Sequence, residues 1–197
     1  MQDWIDRMAI NQVVQDWALA RDNGIWDRLR STFTADGTMH TTWLVGSADE
    51  FVRRSMEAAR GPMRAQHFMG STSVKLGGDR AVAETHMMLL LRGQLVGIEV
   101  DVTCYGRMYD LFAREAGQWR IGKRVPIYAK DRLDPVDPAS SVKLDTAVLE
   151  RHPEGYRHIA YLQSQAGILV TEGLPTPKSD ALARLYAEGE AWLEGKK

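Results

Sequence analysis

The chain has 197 residues, enough for one domain with a sizeable core and short for two independent domains. Lysine and arginine number 25 against 26 aspartates and glutamates, so the charge balance does not favour a nucleic-acid backbone or an anionic membrane surface. The single cysteine excludes an internal disulfide, and the longest apolar stretches fall far short of the roughly 20 residues that a membrane helix needs. We therefore expect a cytoplasmic protein that binds neither nucleic acid nor membranes.

Helix patterns occupy most of the first 60 residues. Residues 4–20 place apolar side chains three to five positions apart, and Asn23-Gly24 then supplies residues that tolerate the left-handed geometry of a helix end. A second, short helix is predicted within residues 26–33. Ser47 and Glu50 have the spacing of a capping box, which predicts a third helix ending near residues 61–62.

The pattern then changes from helix to strand. Alternating and apolar runs separated by glycine-containing turns predict five strands, at residues 39–45, 67–76, 81–91, 96–112 and 118–128. A turn is predicted at residues 35–37, before the first of them. Helices followed by hairpin-linked strands favour an α+β fold, in which a curved antiparallel sheet packs on the N-terminal helices.

A proline- and aspartate-rich stretch after the last strand predicts a linker, which divides the chain into a domain at residues 1–130 and an extension at residues 131–197. The extension contains two helix patterns, one starting at Pro153 and one with Ser179 as its N-cap. Its apolar residues would form an aggregation-prone patch if they were exposed together. We expect the extension to pack over the mouth of the domain or on a neighbouring subunit.

Motifs for metals and nucleotides are missing from the sequence. The five histidines are scattered, and none has a second ligand at the three- or four-residue spacing of a helical metal site. The sequence also lacks a phosphate-binding loop, a dinucleotide fingerprint and the usual serine-hydrolase turn. This pattern predicts no metal and no cofactor, and it leaves acid–base chemistry by ordinary side chains.

Three segments together resemble the landmarks of SnoaL-like proteins in the NTF2-like superfamily: WALARDNGIWDRLRSTFTADG at 17–37, AQHFMG at 65–70 and YDLFAREAGQWRIGKR at 109–124. The resemblance covers roughly residues 4–128 and implies a cone-shaped fold. The family includes scytalone dehydratase, bile-acid 7α-dehydratase, hexachlorocyclohexane dehydrochlorinase, polyketide cyclases and ketosteroid isomerases, as well as many non-enzymes. It therefore specifies a fold better than a reaction.

The resemblance also implies catalytic residues. In the dehydratases and the dehydrochlorinase, an aspartate at the end of the first helix holds a histidine that takes a proton from carbon, and Asp22 and His67 match those positions. Arg124 matches an arginine that faces the leaving group in the dehydrochlorinase. Tyr105 or Tyr128 would act as the acid, as tyrosines do in scytalone dehydratase. The structural alternatives are a core histidine bonded to a carbonyl and a salt bridge of Arg124 at the rim.

Large apolar side chains on the predicted helices and strands suit a cavity for a flat, apolar aromatic or polycyclic molecule. The residues expected to line it are Trp17, Trp43, Met69, Met87 and Leu89. Core packing is the alternative explanation for them. The segment LLLRG at 89–93 has no equivalent of the second acid in the bile-acid enzyme, which disfavours a simple elimination of water.

Two segments of the extension, PEGYRHIAYLQ at 153–163 and LYAEGEAWL at 185–193, resemble those of a SnoaL-like subset from aromatic-degrading bacteria. Some members of that subset release formaldehyde from lignin-derived two-ring diols and leave a stilbene. This resemblance implies a cofactor-independent lyase that acts on an apolar aromatic molecule and assembles as a homodimer or homotrimer. Two alternatives remain open. One is a dehydratase or double-bond isomerase of a steroid- or polyketide-like substrate, and the other is a non-catalytic ligand-binding or assembly module.

Overall fold

The computed structural model describes residues 1–195 and has an α+β architecture. The helices in this part of the chain are α1 (Gln2–Asn23), α2 (Trp26–Ser31), α3 (Ala48–Ala58), α4 (Thr146–Leu149), α5 (Arg157–Gln165) and α6 (Asp180–Leu193). The strands are β1 (Phe33–Thr41), β2 (Leu44–Ser47), β3 (Arg64–Gly77), β4 (Arg80–Leu95), β5 (Ile98–Glu115) and β6 (Gln118–Pro135). None of the described helices is long and apolar enough to cross a membrane.

The strands form one curved, unclosed sheet in the order β2-β1-β6-β5-β4-β3. This confirms the predicted α+β fold with a curved sheet, and one strand pair departs from the expected antiparallel arrangement. Strands β3 to β6 form the expected meander, whereas β1 runs parallel to β6. The direction of β1 is not set by a hairpin to β6, because β2, α3 and the meander separate the two strands along the chain.

Local sequence signals set the ends of several helices. Helix α1 stops because Gly24 adopts the left-handed conformation at φ 68°, and its N–H donates to the carbonyl of Ala20. Ser47 starts α3 by accepting a hydrogen bond from the N–H of Glu50, and Ser179 caps α6 in the same way. These capping residues are the ones that the sequence patterns predict.

Two predicted boundaries differ from the structure. Residues 35–37 lie inside β1, where the register against β6 shifts between Phe33 and Thr38, so the expected turn is a strand irregularity. Strand β6 runs on to Pro135, past the expected boundary at residue 130, because the long β5 strand pairs with it as far as Val100. Pairing with a neighbouring strand therefore overrides the linker-like composition of this stretch.

Helix α1 packs its apolar stripe into the sheet's concave face, and Ile10, Val14 and Trp17 are essentially inaccessible. At its start, the buried Asp6 accepts a hydrogen bond from Trp119 Nε1 at 3.1 Å and pairs with an arginine of β5 at 2.7 Å. This buried carboxylate is fully engaged, and it ties the first helix to the β5–β6 hairpin.

The helices of the extension lie on both faces of the sheet. Ile159 and Leu162 of α5 join the core that contains α1. Leu185 of α6 packs instead in a separate cluster with Val82 and Tyr109. Because successive residues of a strand point to opposite faces, and the neighbours of Val82 belong to the main core, α6 covers the face opposite α1.

Candidate active site

A cavity of about 530 Å³ lies between the concave face of the sheet and helices α1, α3 and α5. Its volume falls in the range of small-molecule sites. Most of its wall is apolar, and the large side chains that line it include Trp17, Trp26, Trp43, Phe51, Met87, Leu89, Tyr128 and Ile159. Helix α5 supplies part of this wall, so the extension helps to build the cavity.

Asp22 and His67 meet in the wall of this cavity. Asp22 lies in the last turn of α1, and His67 lies near the start of β3. One carboxylate oxygen is 2.6 Å from His67 Nδ1, and the other accepts the backbone N–H of His67, also at 2.6 Å. Their side chains are only 13% and 9% exposed. The edge of Trp17 packs against the imidazole, with 5.1 Å between the ring centroids.

This geometry specifies the tautomer of His67. An ionised carboxylate only accepts hydrogen bonds, so in the neutral imidazole Nδ1 carries the hydrogen and Nε2 the lone pair. His67 Nε2 has no hydrogen-bond partner among the described residues. The pair therefore presents a basic nitrogen that is available to a ligand, held at the far side by a negative charge.

Tyr128 also lines the cavity. It is 3% exposed, and burial raises the pKa of its phenol, whose oxygen interacts with both the backbone and the side chain of Thr42. The phenol thus keeps its proton at working pH and can donate a hydrogen bond.

Arg124 does not reach the cavity. It is completely buried, and its guanidinium makes two hydrogen bonds of 2.7 and 2.8 Å to Asp110, which is its register partner across β5 and β6. The group stacks on Trp17 at 4.4 Å, and Trp17 stands in the cavity wall. A fully buried guanidinium requires a counter-charge, and Asp110 supplies it. The structure therefore shows an interior ion pair in place of the expected anion-binding group or rim salt bridge.

Tyr105 lies outside the cavity as well. Its side chain is 37% exposed, and the amino group of Lys130 sits 5.2 Å from its ring centroid. Strand alternation explains the position, because Leu89 faces the cavity opposite Cys104 in β5, and Tyr105 is the next residue and points the other way. The expectation that Tyr105 acts as an acid is therefore corrected.

Four of the five predicted lining residues, Trp17, Trp43, Met87 and Leu89, are on the cavity wall. Met69 is not, although it shares a strand face with His67. It lies two residues further along β3, is 8% exposed, and belongs to the core cluster.

Among the polar residues of the wall that the sequence analysis missed are Arg21, Arg54, Arg64 and Gln163. Gln163, from α5, is 4% exposed, and its Oε1 has no hydrogen-bond partner among the described residues. The position of Arg21 beside Asp22 was an available signal. The other three come from separate elements that only folding brings to one place.

A second histidine–aspartate pair repeats the geometry outside the cavity wall. Asp131 accepts the backbone N–H of His158 and lies near its Nδ1, both at 2.8 Å, and it also accepts the N–H of Ile159. These contacts hold the start of α5 on β6. Within residues 1–195, no group of three His, Cys, Asp or Glu side chains is placed to hold an ion.

A curved sheet folded over an apolar cavity, with a histidine–aspartate pair in its wall, defines an α+β protein of the NTF2-like class. The family description of the SnoaL-like domain matches residues 2–125, and the chain belongs to that family. The matched region ends within β6, so the extension lies outside it.

Similar proteins include one sequence relative and two solved structures. Pea pathogenicity protein 2 of Fusarium vanettenii is 28% identical over 98% of this chain and 87% of its own length, a span that includes the extension. A scytalone dehydratase-like protein of Novosphingobium aromaticivorans has a TM-score of 0.57 at 15% identity, covering 73% of this chain and 100% of that one. A type 2 hexachlorocyclohexane dehydrochlorinase has a TM-score of 0.56 at 16% identity, covering 72% and 95%. At these identities, the two structures establish the fold alone.

Proposed function

We propose that this protein is a cofactor-independent lyase in which His67 is the general base for an aromatic or polycyclic small molecule. The observation that supports the proposal is the 2.6 Å contact between Asp22 and His67 Nδ1, which leaves Nε2 without a partner among the described residues in the wall of an apolar cavity. Proteins with this fold include dehydratases and dehydrochlorinases.

The two ring nitrogens of His67 have different roles in the proposed mechanism. Nε2 takes the proton, and the imidazolium that forms is stabilised by Asp22, which already holds the Nδ1 hydrogen. The surrounding apolar side chains strengthen this attraction, because charges interact more strongly where water is excluded. A positioned general base of this kind contributes about 10²- to 10⁴-fold to a rate.

Tyr128 is the group proposed to assist on the substrate side. Its phenol stays protonated because burial raises its pKa, so it can donate a hydrogen bond to a substrate oxygen that gains negative charge. It takes the place of Tyr105 and Arg124, which lie outside the cavity wall.

The specific reaction that we propose is release of formaldehyde from a lignin-derived diaryl propanediol. His67 takes the proton of the primary hydroxyl, the adjacent carbon–carbon bond breaks to give formaldehyde, and its electron pair forms the central double bond of a stilbene. The benzylic hydroxyl leaves and is protonated to water, so the proton taken by the base is returned. The products are stilbene, formaldehyde and water, and no oxidant is needed.

The test uses a 1,2-diaryl-1,3-propanediol with a para-hydroxyl group, and follows stilbene absorbance together with formaldehyde. We expect His67→Gln to lower kcat by about 100-fold or more, because glutamine keeps a polar side chain without a base. The matched control is His158→Gln in the second pair, which lies outside the cavity wall and should keep normal turnover. Equal rates in the two variants would refute the proposed role of His67.

A double-bond isomerase is the second candidate, and one observation favours it over a dehydratase. The carboxylates of the wall are Asp22 and Glu57, and both are engaged, by His67 and by Arg53 at 2.6 Å. An isomerase returns the proton that it removed and needs no further acid. Its product has the mass of its substrate, so mass spectrometry separates it from the lyase. Ligand binding without turnover would instead support a binding module.

A further inference from the structure

Three arginines line the cavity without an ion-pair partner among the described residues. They come from different elements: Arg21 from α1, Arg54 from α3 and Arg64 from the start of β3. Several arginines elsewhere on the chain hold a carboxylate directly, and Arg53 and Arg92 each do so through two nitrogens. The three cavity arginines have no such carboxylate among the described residues, although they come from separate elements.

The two acids of the same wall form no ion pair with them among the described residues. Both oxygens of Asp22 are used by His67, through its backbone N–H and its ring. Glu57 pairs with Arg53. The guanidinium donors facing the cavity therefore remain available to a ligand.

Desolvation makes Arg21 the strongest of the three as a binding group. Its side chain is half-buried, and burial lowers its pKa, with the neighbouring charge of Asp22 acting in the opposite direction. A charge that has lost water without gaining a hydrogen-bonded counter-ion is unfavourable, and an anionic ligand would remove that cost. Guanidinium is also weakly hydrated and matches the two oxygens of a carboxylate.

Arg54 connects the charged and the apolar parts of the wall. Its guanidinium stacks on the ring of Trp43 with 5.4 Å between the carbon centre and the ring centroid. Stacking uses the flat face of the guanidinium and leaves its N–H edge available. A ligand with an aromatic ring and a carboxylate would therefore meet both groups together.

We propose that the substrate class of this cavity is the aromatic carboxylic acids, with the rings against the apolar wall and the carboxylate against Arg21, Arg54 and Arg64. The inference rests on the proposed use of the cavity as the active site, and it adds a negatively charged group to the aromatic substrate expected there. It does not depend on which bond is broken.

The test is calorimetric titration of the full-length protein with naphthalene-2-carboxylate and with naphthalene-2-methanol, which has the same rings and no charge. We expect the carboxylate to bind at least about tenfold more tightly at low salt, because hydrogen bonds to charged groups contribute that much. The advantage should shrink as salt is raised. Equal affinity for the two compounds, or no measurable binding of the carboxylate, would overturn the proposal.

Variants locate the effect. Arg21→Gln should weaken carboxylate binding by about tenfold and leave alcohol binding unchanged, and Arg21→Lys should retain part of the preference because it keeps the charge. The matched control is Arg60→Gln, an exposed arginine that follows α3 and is not on the cavity wall. Equal losses in Arg21→Gln and Arg60→Gln would contradict the assignment. Thermal unfolding of each variant shows that it is folded.

The two proposals fail separately. His67→Gln should keep the preference for naphthalene-2-carboxylate over naphthalene-2-methanol, since the variant retains all three arginines, whatever the change in its affinity for both compounds. If the unmodified protein shows no preference for the carboxylate over the alcohol, the proposed substrate class is wrong. The role of His67 is then tested by its turnover assay alone. Full turnover by His67→Gln would overturn the base and leave the binding result standing.

Discussion

Replacing Asp22 by asparagine should reverse the tautomer of His67 while preserving the fold. The backbone N–H of His67 is a fixed donor, so the amide oxygen of asparagine must face it. The amide NH₂ then faces Nδ1, which can only meet it with a lone pair. The hydrogen moves to Nε2, and the nitrogen that faces the cavity ceases to be a base.

The expected magnitudes follow from these contacts. Loss of the general base lowers kcat by about 10³-fold, which corresponds to about 4 kcal/mol of activation free energy. The free energy of unfolding should fall by only about 1–2 kcal/mol, because two hydrogen bonds persist but the charge that strengthened them is removed. A large kinetic effect with a small effect on stability distinguishes a catalytic pair from a packing contact.

The tautomer is read from imidazole ¹⁵N chemical shifts, and the rate is read from the diaryl propanediol assay. The second pair provides the control, because Asp131→Asn makes the same exchange beside His158 and should switch that tautomer without a loss of turnover. If Asp22→Asn keeps the hydrogen on Nδ1, or switches it and retains normal turnover, the reasoning about the base is wrong.

Three further predictions concern stability, each measured by denaturant unfolding. Gly189→Ala should destabilise by about 1–3 kcal/mol, although alanine normally stabilises a helix relative to glycine. The reason is that the added Cβ would collide with the hydroxyl of Tyr109, and a stabilised variant would contradict this. Asp6→Asn should destabilise at pH 7, and this deficit should disappear as the pH falls below about 4. The reason is that hydrogen bonding by its arginine partner lowers the pKa of Asp6 in the folded state, and the resulting stabilisation is lost when the carboxylate is protonated. A pH-independent deficit would refute this prediction. Asp110→Asn should cost about 3–5 kcal/mol by leaving Arg124 buried without its counter-charge, and a loss under 1 kcal/mol would show that the pair is not needed.

Local patterns in the sequence predict the elements because each depends on residues close together in the chain. The cap at Ser47 needs an N–H three residues away, and the end of α1 needs only a residue that accepts positive φ, which Gly24 supplies. The resemblance to SnoaL-like proteins also paired Asp22 with His67, 45 positions apart, which the structure places in contact. Their catalytic roles stay a prediction.

Register and packing decide what local patterns cannot. Arg124 ends in the interior because Asp110 happens to be its partner across two strands, and Tyr105 faces away because it is one residue out of step with the cavity face. The parallel contact of β1 with β6 and the division of the extension between two sheet faces likewise arise from long-range pairing. A shift of one residue in a strand reverses every side chain, so the identity of the residues that share a cavity depends on tertiary structure.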